Sequence, residues 1–237
     1  MKVTPELKQH MRKGIHNSQH CQRNWDLSKP IPQEDIDLII ESAIECPTKQ
    51  NLNFYKVVAI TDRKMIEAIY EQTDTDQTSG RSIRWEDGKV DTVMMNNPQT
   101  LANVLLAWVE DTPSATYELS GTLIAGEGAM IPDAYSDMRD TINSPDFQAV
   151  AEMDRLISIG IASGYAAWCA NMLGYKTGFC KCFEDKPTSD IIGEGDVKLL
   201  LGVGHGNPKK NRLEHHEWKD FYFASAPNRT QKVIWKT

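Results

Sequence analysis

The chain has 237 residues, 40% of them hydrophobic, and 33 acidic against 26 basic side chains leave a net charge of −7. That is one ordinary domain, with enough apolar material to bury a core and leave a cleft. The acidic balance excludes a general nucleic-acid or polyanion binder, so any basic site must be local.

No run of about 18 apolar residues offers a membrane span, and the first stretch, MKVTPELKQHMRKGIH, lacks the apolar core of a secretory signal. Five cysteines, Cys21, Cys46, Cys169, Cys180 and Cys182, are an odd number and too sparse for a disulfide scaffold. The expectation is a single cytoplasmic domain over 1–237, with neither membrane nor nucleic acid as partner.

In chain order, Thr4 caps a first helix over Pro5–Lys13 and a little beyond, with Leu7, Met11 and Ile15 on its inner face. The polar segment Gln19–Asp26 follows. Within it Arg23 presents a planar, permanently charged fork suited to a phosphate or to the carbonyl edge of a heterocycle, and equally suited to a surface pair with Asp26.

After the stiff Pro30-Ile31-Pro32, a second helix runs through Asp35–Ile44 with Ile36, Ile39, Ile40 and Ala43 inward. It stops before Pro47, and the amide-rich loop Cys46–Tyr55 leads into a strand, Lys56–Thr61. A third helix, Arg63–Glu71, carries Arg63 as an exposed charge, and Thr73–Lys89 reads as loop.

Asn96-Asn97-Pro98 precedes a strand, Ala102–Val109, apolar enough to be central in a sheet. The pattern weakens from Glu110 to Phe147, where Met130-Ile131-Pro132 and Tyr135–Ile142 suggest helical pieces of an inserted segment at about 110–147, either a pocket wall or surface decoration.

Glu152–Phe183 is the stretch around which the rest is arranged. Leu156, Ile159, Ala162, Ala166, Ala170 and Leu173 recur at helical steps, while Gly160, Ser163, Gly164 and Ala167 leave the helix thin enough for another backbone or a flat ring to approach closely. Gly174 ends this interior helix, and Tyr175–Phe183 reads as extended.

A second buried strand, Val197–Val203, ends in Gly204-His205-Gly206-Asn207-Pro208. Lys209, Lys210 and Arg212 then form the local basic site, a solvated turn or a phosphate grip at a strand end. Trp218–Phe223 and Gln231–Trp235, in an arm at about 213–237, are too aromatic to hang free and should dock on the body or on another subunit.

The Arg23 segment, the Pro47-Thr48-Lys49-Gln50-Asn51-Leu52-Asn53 loop, the glycine-bearing helix ending at Leu173-Gly174-Tyr175 and the Gly204 turn with Lys210-Asn211-Arg212 together resemble the flavin-dependent nitroreductases. The ordered set carries the resemblance, since no single motif is specific alone. It implies an α+β fold with a central mixed or antiparallel sheet flanked by helices. It also implies an intertwined homodimer that holds FMN at its interface and draws hydride from NADH or NADPH for a small-molecule acceptor such as a nitroaromatic or a quinone.

By that resemblance Gln19, His20, Cys21, Arg23, Lys210 and Arg212 hold the phosphate and ribityl chain, and Arg23 also faces the pyrimidine edge and stabilises the anionic reduced ring. Pro47, Thr48 and Asn51 contact the ring from the other subunit, and Asn96 or Asn97 approaches the pyrimidine or the substrate. Phe179, Lys181 and Cys182 lie along the ring, with a backbone N–H directed at N5. The chain departs from the family pattern at Gln19, Cys21, Lys181 and Cys182.

Two other readings of the same residues are a non-catalytic flavin-binding or storage protein, and a zinc site drawn from Cys180, Cys182 and His205 with His215 and His216. The Cys-x-Cys spacing lacks the usual two-residue knuckle of zinc sites. A thiol-disulfide enzyme would require a Cys-x-x-Cys at a helix start, which is missing.

Overall fold

The computed structural model describes residues 3–48, 55–73, 81–111, 145–216, 221–223 and 233–236. Helix α1 spans Pro5–Ser18, with the Thr4 hydroxyl accepting from Leu7 N at 3.2 Å and proline opening the first turn. Helix α2 spans Gln33–Ile44, strand β1 Tyr55–Ile60 and helix α3 Arg63–Glu71.

Strands β2 (Arg81–Trp85) and β3 (Val90–Val93) come next, then a 3₁₀ turn at Pro98–Thr100 and strand β4 (Val104–Glu110). Helix α4 covers Pro145–Met172, strand β5 Lys176–Cys180, helix α5 Asp185–Ile192, strand β6 Val197–Gly204 and strand β7 Phe221–Phe223.

Four strands form the central sheet in the order β1-β4-β6-β5, every pair antiparallel. β4 is buried on both faces, which is why it reads as an unbroken apolar run. Against one face α2 and α4 pack Ile36, Ile39, Ala43, Ala162, Ala166 and Ala170 onto Leu106, Trp108 and Leu201. Against the other, α3 and α5 cover Leu105, Ala107 and Leu200 with Ile66, Ile69 and Ile192. The expected α+β class with helices on a central sheet is what the chain adopts.

Where β4 leaves the sheet, Arg155 of α4, nearly buried, pairs with Glu110 at 2.9 Å and with Glu152, and Lys198 closes the square on Glu110 at 2.9 Å and Glu152 at 3.4 Å. Two positive and two negative charges balance; Arg155 is the buried member, and removing Glu110 would leave its guanidinium short of a partner.

Several expectations are corrected. The stretch Thr73–Lys89, read as loop, contains β2 and the turn into β3, and the tail joins them in a second, three-stranded antiparallel sheet, β3-β2-β7, with Ile83 opposite Phe223. Ile83, Met95, Phe221 and Phe223 bury one another in a small core of their own. Phe221–Phe223 therefore docks on its own chain.

Of the residues expected on the inner face of α1, Leu7 and Met11 are half-buried, but Ile15 is 58% exposed, and the buried position on that face is Gly14, against which the Met172 thioether lies. Helix α5 was not anticipated, and the extended segment after Gly174 stops at Cys180 rather than Phe183.

The reading of α4 as wholly interior is also corrected. Ile159, Ala162, Ser163, Ala166, Ala167 and Ala170 are buried, but Leu156 (48% exposed) and Leu173 lie outside, along with Met153, Ile157, Ile161, Tyr165 and Trp168. Gly160 and Gly164 lie on this open side, where an added Cβ would meet nothing within 4 Å. Gly174 ends the helix region as expected, at φ +94°. The inserted segment falls almost wholly outside the described residues.

Candidate functional site

The segment after α1 does not wander. Cys21 bridges to Thr177 in parallel and Gln22 N donates to Thr177 O at 2.8 Å, so the chain runs along β5 at the open edge of the central sheet. It then crosses to the end of β6, where Trp25 bridges to Gly206 and Asp26 N donates to His205 O at 2.8 Å. Trp25 Nε1 is fixed on Pro98 O at 2.8 Å.

Glycine is needed at 178, because a Cβ there would come within 2.9 Å of both Gln22 O and Gln99 Cβ. The sequence of β5 thereby lets the 21–26 segment lie flat on the strand.

This path brings together bases from three separate stretches. His20 is held below its ordinary value of 6.5, first by burial, then by Arg212, His16 and Lys176. Arg212 comes from the turn after β6 and Lys176 opens β5, so the sheet edge concentrates positive charge around one imidazole. Convergent cations at a strand end, with backbone and glycine close by, suit an oxyanion such as a phosphate.

The expected site residues divide accordingly. Arg212 lies near enough to His20 for its charge to hold the imidazole below its ordinary value, and Cys21 bridges to the same edge strand. Gln19 closes α1 and places its amide 2.7 Å from His16 Nδ1. Arg23 lies with its guanidinium carbon 4.9 Å from the centroid of the Phe223 ring, so the tail strand forms part of its seat. Asp26, the alternative partner of Arg23, is engaged by the Ser28 hydroxyl at 2.5 Å and by Lys29 at 3.2 Å.

Lys210 is turned inward as a brace, with Nζ donating to His215 O at 2.7 Å and His216 O at 2.9 Å. Lys176 and His16 were not anticipated. Register is the signal for Lys176, which pairs across from Gly204, the residue that begins the basic turn.

On the ring side, Phe179 is half-buried against the core beneath α2 and α4. The Cys180 thiol is buried in the other core and reaches Cys182 O at 3.6 Å, while Cys182 itself is exposed. Lys181 pairs with Asp185 at 2.9 Å and lies 4.4 Å from the Phe183 centroid, so its charge is balanced locally.

Asn97 is buried and caps the 3₁₀ turn, its Oδ1 accepting from Gln99 N at 3.2 Å, and Asn96 Nδ2 donates to Tyr70 O at 3.0 Å. Pro47 is exposed and Thr48 half-buried at the end of the α2 exit, and Asn51 lies outside the described residues. Arg63, expected to be a surface charge, instead donates to Leu101 O at 3.1 Å and Ala102 O at 3.0 Å.

The zinc reading finds no geometry: among the described residues no three His, Cys, Asp or Glu side chains converge as ligands. Cys180 faces the core, and His205 packs edge-on against Tyr175 at 5.1 Å.

The architecture so far is an antiparallel sheet between helix pairs, with a basic cluster at its β5 edge and an open, glycine-lined long helix. Solved structures with the same architecture are nitroreductase-like. A nitroreductase-like protein of Streptococcus mutans superposes with a TM-score of 0.60 at 12% identity, covering 91% of this chain and 96% of its own. A Staphylococcus epidermidis protein named as an NAD(P)H:FMN oxidoreductase gives 0.59 at 16% identity, covering 85% and 89%.

A protein named as a nitroreductase from Exiguobacterium sibiricum, solved in complex with FMN, gives 0.59 at 16% identity, covering 89% and 92%. No family model matches the chain, and no curated protein matches it. The chain thus has the nitroreductase-like α+β fold.

Proposed function

We propose that this protein is an FMN-dependent oxidoreductase that takes hydride from NADH or NADPH and passes electrons to a small acceptor such as a nitroaromatic or a quinone, by a ping-pong mechanism. The observation that carries this reading is the cluster of His20, Lys176, Arg212 and His16 at the β5 edge of a fold that holds FMN in a structural neighbour.

The residues present fit that cofactor. In the proposed arrangement His20, Lys176 and Arg212 take the phosphate, while Arg23, seated on Phe223, faces the pyrimidine edge. The stretch from Phe179 to Cys182 lies along the ring, and its backbone N–H groups are the candidate donors to N5. FMN supplies the hydride-accepting chemistry when bound; the protein positions it and tunes its electrostatics. A permanent guanidinium near the pyrimidine oxygens stabilises negative charge there without a proton having to move.

The protein works as a homodimer in this reading. The stripe of Leu156, Ile157, Gly160, Ile161, Gly164, Tyr165 and Trp168 is a broad apolar face with glycines at its centre, a shape suited to a second copy of the same helix. Pro47, Thr48 and Asn51 of the second copy would complete the ring pocket. Val233, Ile234 and Trp235, exposed at 71–86%, form an arm suited to the same partner. Among the described residues no helix is long and apolar enough to cross a membrane. A cytoplasmic location is part of the same proposal, supported by the sparse, odd-numbered cysteines of a reducing compartment.

The test is the identity of the bound flavin. Protein purified from cells should release FMN on denaturation, at about one per chain; release of FAD, or of no flavin even after incubation with FMN, would refute the proposal.

A further inference from the structure

Asn24, in the segment that joins α1 to α2, is wholly buried, and its side chain is used on a remote part of the chain. Its Nδ2 donates to Asn211 O at 2.7 Å and to Glu214 O at 3.0 Å. Its Oδ1 accepts from Gln22 Nε2 at 3.1 Å, and the same Nε2 donates to Asn24 O at 2.7 Å. One amide thus joins the segment that carries His20 and Arg23 to the turn that carries Arg212. Within the turn, Lys209 N donates to Asn207 Oδ1 at 2.9 Å, Leu213 N to Asn211 Oδ1 at 3.0 Å and Asn211 N to Glu214 Oε1 at 2.6 Å, and its far end is held by β7, where Phe223 N donates to Leu213 O at 2.8 Å and Tyr222 bridges to Glu214.

We propose that Asn24 is a positioning residue that holds Arg212 against His20, and so sets the preference of this site for a phosphorylated flavin over its unphosphorylated counterpart. The inference rests on the FMN reading above. A charge-assisted bond to a phosphate depends on donors held at short, fixed separations, and a mobile guanidinium gives up most of that advantage to water. The tether bonds the turn carrying Arg212 and not the Phe179–Cys182 stretch, and Arg23 keeps its own seat on Phe223, so loosening it acts first on the phosphate end of the ligand.

The experiment measures dissociation constants of FMN and riboflavin on the full chain, by flavin fluorescence. Wild type should prefer FMN, and Asn24→Ala should reduce that preference by about tenfold or more while riboflavin binding changes by less than about twofold. Asn211→Ala, which releases Leu213 N and loosens the same turn without emptying a buried site, should shift the ratio in the same direction.

An unchanged ratio in either folded variant, or parallel weakening of both flavins, overturns the inference. If Asn24→Ala does not fold, Asn211→Ala decides it. Wild-type protein that shows no preference for FMN refutes the cofactor reading itself, a different outcome from a variant that keeps the preference.

Discussion

Gly164→Leu separates two roles that a glycine-lined helix can have. A Cβ at Gly164 meets no atom of its own chain within 4 Å. A lone protomer therefore has room for the leucine and should be stabilised by about 1 kcal/mol through helix propensity alone. If two α4 helices meet across Gly160 and Gly164, the same side chain enters a filled gap, where overpacking costs about 1–3 kcal/mol, and twofold symmetry imposes that cost twice.

The sum, about 2–6 kcal/mol, weakens the dimer by roughly 30-fold or more. Sedimentation velocity at a few concentrations, with bound flavin monitored by absorbance, reads the outcome. Monomeric, colourless but folded Gly164→Leu is expected. A variant that remains dimeric and yellow, or a wild type that is monomeric, would refute the reasoning.

Arg23→Ala should weaken flavin retention, whereas Lys64→Ala, on the exposed side of α3, should leave it unchanged; equal effects would mean that Arg23 does not face the flavin. Arg63→Ala should lower the unfolding free energy by about 1–3 kcal/mol in urea titrations without affecting flavin, because Arg63 supports the carbonyls of Leu101 and Ala102.

His20 is held below 6.5 by burial and by Arg212, His16 and Lys176, and a bound phosphate would return its proton. Binding then takes up a proton, so the FMN affinity of wild type relative to His20→Gln should rise as pH falls and converge as pH rises through the bound-state value; parallel pH profiles would contradict this.

Tyr175 is pushed up to about 12 by burial, by its hydrogen bond to Asp35 and by the charges of Asp35 and Glu34. The folded state holds this proton more tightly, so the contribution is complete below pH 10.0 and is lost as pH rises to about 12. Tyr175→Phe should flatten that part of the stability profile, and urea midpoints on both sides of the window check it.

The elements that read clearly from the sequence are those whose pattern needs no partner to interpret. β4 is a continuous apolar run and β6 is one apart from Lys198, and α2 and α3 show an unbroken helical stripe. β2 and β3 were missed because Arg81–Trp85 carries a single aliphatic residue, Ile83, whose burial depends on Phe221 and Phe223 more than a hundred residues later.

Of the candidate site, the sequence marked Arg23 as a guanidinium in a polar segment and Arg212 as part of a basic turn after a strand, while His20 entered only through the family resemblance. Lys176 was not legible, because only register with Gly204 brings it alongside the basic turn. Lys210 and Arg63 show the converse: a cation looks the same in sequence whether it meets a ligand or braces carbonyls of its own backbone. The small and apolar sides of α4 are likewise indistinguishable until burial shows that one covers the sheet and the other is open.

The central claim is that a redox-active flavin bound at the β5 edge cycles between a nicotinamide donor and a small acceptor. Its most direct test is anaerobic addition of NADH or NADPH to purified protein carrying one FMN per chain. The account predicts that the yellow colour bleaches and returns when a nitroaromatic or quinone is added. Colour that persists with both nucleotides, or that bleaches but is not restored by any such acceptor, would contradict it.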